Sequence, residues 1–217
     1  MGPSPGSGRH LLLGLVLLAP LSAEAQNMGR APAFDVDLEL GVGLGMGGDP
    51  VAEYQTIVYS EFRSEPFEST SSLKSGGGVI LTAGVGASLP SIPIRLHGSV
   101  GYHLNRTSDV EDLDSTLRRY PLELGADLNL GQVLVGYGIT HQQGVVLRDD
   151  ALDEDWKFRD ATGHFFQAGV GGNSVAIIGR WVMVSYALED PQWSSVVNTD
   201  PELSGDHFEL IARFALF

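Results

Sequence analysis

His97 and His103 lie on the polar face of one alternating segment, and His141 lies on another segment further along the chain. Imidazoles bind first-row metals and move protons near neutral pH, so three that converge could hold a metal or supply a general base. Convergence requires those segments to be neighbours, and histidine paired with acidic side chains in a closed interior is the commoner outcome. No metal site is expected. The stronger pattern is one of opposed charge: Asp35, Asp37, Glu39, Glu123, Asp127 and Glu209 against Arg95, Arg119 and Arg213, with Arg180 a further candidate. All fall on polar faces of alternating segments. If those faces line a narrow interior, burial forces the charges to pair, and a network of ion pairs and hydrogen bonds plugs the space.

Other chemical patterns dissolve on inspection. Gly43-Leu44-Gly45-Met46-Gly47-Gly48 fits a dinucleotide-binding fingerprint, but a polar loop follows where that fingerprint needs a helix. Asn105-Arg106-Thr107 fits a glycosylation sequon, a three-residue match that carries no chemistry of its own. With 0 cysteines there is neither a disulfide scaffold nor a thiolate metal site, and no cofactor is expected.

The elements that must position these residues are strands. Phe34, Val36, Leu38, Leu40, Val42, Leu44 and Met46 alternate without a break with Asp35, Asp37, Glu39 and three glycines. The same period of two returns in Val79–Leu89, Ile94–Leu104 and Tyr120–Leu130. Four shorter or less regular copies follow at Val133–His141, His164–Gly171, Val175–Leu188 and His207–Phe217. In the seventh strand Ile177, Ile178, Trp181 and Val182 are apolar on both faces, and the expected outward set is Val182, Val184, Tyr186 and Leu188.

Connections alternate between long and polar (about Gly47–Gly77, Asn105–Thr116, Gln142–Gly163, Glu189–Asp206) and tight (Pro90–Pro93, Gly131–Gln132, Gly172–Ser174). Eight antiparallel strands with long loops at one end and short turns at the other describe an up-and-down transmembrane β-barrel of an outer membrane. A soluble lipocalin-like barrel would place its apolar face inward. The opposite face here is rich in glycine, drawn from 28 in the chain, which suits an interior wide enough only for side chains. Aromatic residues gather near the strand ends: Tyr102, Tyr120, Phe166, Tyr186 and Phe208 toward the long loops, Phe34 and Phe214 toward the short turns. They are expected to form two interfacial girdles.

Residues 1–25 read as a cleaved signal peptide: Arg9, the apolar run Leu11–Leu21, then Ala23 and Ala25 before Gln26. Residues 26–217 are the barrel, which is expected in the outer membrane among lipid and lipopolysaccharide. The net charge of −14 sits in the four long loops, which contribute −3, −3, −3 and −5. Acidic loops exclude nucleic acid as a partner, because phosphate contacts need basic side chains. Divalent cations that bridge lipopolysaccharide phosphates are a candidate ligand, although a solvated surface is the plainer reading. In the first long loop, Tyr54, Ile57, Val58, Tyr59 and Phe62 among charges hint at a hairpin or a partner-binding surface.

A chain that ends in an amphipathic strand closed by Phe217 resembles outer-membrane proteins that carry a C-terminal assembly signal; the resemblance implies recognition by the barrel-assembly machinery. Over most of residues 26–217 the layout resembles the small OmpA/OmpX/OmpW-type barrels. Arg119-Tyr120-Pro121-Leu122-Glu123 and Gly136-Tyr137-Gly138-Ile139-Thr140-His141 are similar to an uncharacterised proteobacterial family of such barrels, which brings no assigned chemistry. Some small outer-membrane barrels also hydrolyse lipid A acyl chains with a rim His and Ser. Thr140-His141-Gln142-Gln143 sits at that rim, but Gln143 stands where the Ser is needed. The expected function is therefore non-enzymatic: envelope integrity or surface interaction with a plugged lumen, with a narrow solute conduit as the alternative and a lipid A hydrolase as the third.

Overall fold

Alternation at period two becomes extended chain throughout the computed structural model, which describes residues 35–58, 67–89, 91–107, 115–149, 154–172, 174–189 and 202–216. Eight long antiparallel strands form the body: β1 (Asp35–Gly47), β4 (Gly78–Ser88), β5 (Ile94–Thr107), β6 (Ser115–Leu130), β7 (Val133–Asp149), β9 (Ala161–Gly171), β10 (Val175–Met183) and β13 (His207–Leu216). Each pairs with its sequence neighbour in this set. β1 pairs with β13, so the sheet closes and leaves no edge in the body. Residues 1–25, expected to be a signal peptide, lie outside the described residues, as do Phe34 and Phe217.

Five accessory strands stand at the long-loop end. β2 (Pro50–Val58) and β3 (Phe67–Lys74) form a hairpin in the first long loop, β8 (Glu154–Lys157) extends the sheet beside β7, and β11 (Ser185–Ala187) pairs with β12 (Glu202–Ser204). β7 runs eight residues past the expected end at His141. It does so through a bulge: Tyr120 pairs with Gln143 but Arg118 pairs with Val146. Gly144, with φ of +56°, absorbs the extra residue in a conformation that costs glycine little.

The outer surface is apolar. On β1 alone, Val36, Leu38, Leu40, Val42, Leu44 and Met46 are all exposed, and Leu124 on β6 is 71% exposed. A soluble barrel of the lipocalin kind has the opposite polarity. The interior has two zones. Toward the short turns and through the middle it is charged, beside a small apolar cluster of Leu134, Ala176 and Ile178. At the long-loop end it turns apolar, where Leu117, Val145, Leu147, Trp156, Val184 and Leu188 pack with Tyr186 in one buried cluster. That upper zone lies beyond the outer apolar belt and is built by the extended strand ends.

That second zone corrects the seventh strand. Val182, Val184, Tyr186 and Leu188 point inward and are buried, while Val175, Ile177 and Trp181 face out. Tyr186, expected in a girdle, is 2% exposed and lies inside. The physical reason is that side-chain polarity marks the inside of a barrel only where the inside is polar. Burial holds the Tyr186 phenol above its ordinary range.

The interior leaves little space. A Cβ on Gly138 would lie 2.2 Å from Phe165 Cζ, and one on Gly136 would lie 2.1 Å from Asp127 Oδ1. Glycine at these two positions is what lets Phe165 and the Asp127 carboxylate lie over the neighbouring strand β7.

Candidate functional site: the lumen network and the outer wall

The buried charges form one connected chain along the barrel. At the short-turn end Arg95 pairs with Asp37 and with Glu39, its Nη2 lying 2.7 Å from Glu39 Oε1. Arg213 bridges onward, 3.6 Å from Glu39 and 2.9 Å from Asp127. Gln167 donates to Asp127 at 2.5 Å and accepts from Arg180 Nε at 3.2 Å. Arg180 then reaches both oxygens of Glu123 at 2.9 and 2.8 Å and Glu209 at 3.4 Å, with its guanidinium 4.4 Å from the centre of the Phe165 ring.

Glu209 hands the chain to the upper lumen. His207 Nε2 lies 2.9 Å from Glu209 Oε1, and its Nδ1 lies 2.5 Å from the Gly205 carbonyl oxygen. Arg119, which is 1% exposed, contacts His207 at 3.2 Å and His103 at 2.6 Å and donates to the Ser75 carbonyl. His103 completes the path through the Gly77 carbonyl at 2.7 Å. The charges nearly balance. Five carboxylates (Asp37, Glu39, Glu123, Asp127, Glu209) face four guanidiniums (Arg95, Arg119, Arg180, Arg213), with His207 against Glu209.

Most of the residues named from sequence meet in this chain. Asp35 does not: it is exposed at the short-turn end and makes no ion pair among the described residues. Arg180 stands at the centre of the network, and His207 and Gln167 belong to it although their types alone gave little sign. The signal for His207 was its place two residues before Glu209, on the same face.

The histidines do not converge as the three-way grouping required. His97 sits low in the lumen near Asp127 and Gln167, His103 sits high, and His141 is on the outer wall. A different trio, His103, His207 and Glu209, brings its ligand atoms within 4.8 Å of one another. Arg119 already contacts both of its imidazoles, so a guanidinium holds the place a cation would take.

The outer wall carries aromatics near the long-loop end. Tyr120, Phe166 and Phe208 are exposed; Tyr102 is half-buried with its ring 5.4 Å from that of Tyr120; Phe214 is exposed toward the short turns. Tyr137 and Trp181, unassigned from sequence, stand outward with them. His141 Nδ1 lies 2.9 Å from Thr162 Oγ1 on this wall, a hydroxyl–imidazole pair to which no carboxylate is hydrogen-bonded among the described residues.

No protein-family model matches the chain, and no curated protein matches it. Among solved structures, the chain is similar to the crystal structure of Neisserial surface protein A, with a TM-score of 0.44 and 9% sequence identity, over 84% of this chain and 98% of that one.

Proposed function

We propose that this protein is a non-enzymatic outer-membrane β-barrel with a plugged lumen, whose acidic loops form a surface platform that supports envelope integrity or surface interaction. The carrying observation is the apolar outer wall. On β1 it runs from Val36 to Met46, which at ~3.3 Å per residue is about 33 Å along the strand. A tilt of ~40° reduces that to about 25 Å of height, the apolar thickness usual for such barrels. In water a continuous apolar surface of this extent would drive aggregation.

The lumen network supports the plug. Each guanidinium in it lies against a carboxylate or a carbonyl, and eight strands leave no room for a porin-like channel. The loops, net −14, favour divalent cations and lipopolysaccharide as neighbours over nucleic acid. Phe217 fits a role in recognition by the barrel-assembly machinery. Cells that lack the protein should become more sensitive to detergent and to low divalent cation; unchanged sensitivity to both would remove the envelope role. Conductance in planar bilayers separates the platform from a narrow conduit, which would show steady current steps. A lipid hydrolase would need a third group to orient His141, and lipid A acylation should be the same with and without the protein.

A further inference from the structure

The outer wall is not uniform: between β4, β5, β6 and β7 it holds a groove of about 490 Å³ lined almost wholly by apolar atoms. Two rows of outward side chains frame it. One row crosses Ala83, Val100 and Leu122 to His141; the other crosses Val85, Gly98 and Leu124 to Ile139. Gly98 leaves the notch, since a Cβ there would meet Leu124 Cδ2 at 3.1 Å. Polar side chains stand at one corner only, the one nearer the long loops. His141 is there, with Gln143 outward two residues further along β7. Thr162 holds His141 through Nδ1 at 2.9 Å, which fixes the ring and leaves Nε2 with no partner among the described residues.

We propose that this groove binds one phosphate-bearing lipid of the outer leaflet, with an acyl chain over Gly98 and the phosphate accepting a hydrogen bond from His141 Nε2. The proposal rests on the outer-membrane reading above and names a specific occupant for one part of the wall. An apolar trough with a polar donor at its interfacial end matches the polarity of a lipid along its length. Two residues nearer the short turns on the same β7–β9 seam, His164 differs: its Nδ1 is bonded to the Tyr137 hydroxyl at 2.7 Å and the two rings are stacked.

The test is native mass spectrometry of the detergent-extracted barrel, with dimyristoyl phosphatidic acid, dimyristoylglycerol and inorganic phosphate as separate probes. One phosphatidic acid per barrel should be retained, about tenfold better than the diacylglycerol, as expected for a hydrogen bond to a charged group. Inorganic phosphate should not be retained. His141→Ala should bring phosphatidic acid down to the diacylglycerol level, Gly98→Leu should weaken both lipids, and His164→Ala should change neither. Ala83→Leu fills the same trough from the other side if Gly98→Leu does not fold. Equal retention of the two lipids would overturn the proposal. So would undiminished binding in the filled-groove variant, or a dimer that this variant abolishes, which would assign the groove to a second copy of the chain. All three results leave the barrel reading intact so long as the protein keeps its heat-dependent gel mobility.

Discussion

Replacing Arg180 by Met tests the lumen network at its most connected point. Arg180 is 6% exposed and meets three side chains: Glu123 at 2.8 Å, Glu209 at 3.4 Å and Gln167 at 3.2 Å. Met roughly fills the volume beside Phe165 but leaves the buried Glu123 without its cation and Glu209 with His207 alone. Breaking a buried pair by removing one partner costs about 3–5 kcal/mol, because the stranded charge cannot return to water. The assay is urea unfolding of the barrel folded in lipid vesicles, followed by tryptophan fluorescence and by gel mobility without boiling. Arg180→Met should lose about 3–5 kcal/mol, and adding Glu123→Gln and Glu209→Gln should recover most of the loss. Arg180→Lys should fall between, since a point charge cannot hold both carboxylates and Gln167 together. A loss under about 1 kcal/mol for Arg180→Met is the size seen for solvent-exposed pairs and would mean a hydrated lumen, which refutes the plug.

Gly138→Ala should destabilise the barrel by about 1–3 kcal/mol in the same assay, through the clash with Phe165. Leu124→Arg, at a position 71% exposed, should cost ~2–4 kcal/mol when the barrel folds into bilayers, the usual price at the bilayer midplane. An effect near zero would place Leu124 in water. The wild-type barrel should give no steady conductance in planar bilayers; stable ohmic steps would favour the conduit. Asp35→Asn should leave unfolding unchanged within about 0.5 kcal/mol, because Asp35 lies outside the network.

The belt and the strand order were legible in the sequence because membrane and lumen differ sharply in polarity. Leu38, Leu40 and Val42 could face only one way once Asp37 and Glu39 faced the other. The same rule failed at Tyr186 and Val184. Above the belt the interior is an apolar core, so the apolar face of β11 turns inward and alternation no longer says which side is inside. Arg180 shares the inward parity of Val182 and was the better guide to the phase. Most charged members of the network were legible from their face, but Gln167, His207 and the connectivity were not. That Arg213 reaches Asp127 across the lumen, while Arg119 takes histidines and backbone carbonyls in place of carboxylates, depends on height and cross-barrel distance. Alternation within a strand carries neither.

A closed barrel seated in the outer membrane has a direct signature in fractionation of cell envelopes followed by gel electrophoresis. The protein should appear in the outer-membrane fraction and migrate faster unboiled than boiled, since a closed sheet without edges resists detergent until heated. Recovery in the soluble fraction, or the same mobility with and without boiling, would contradict the account.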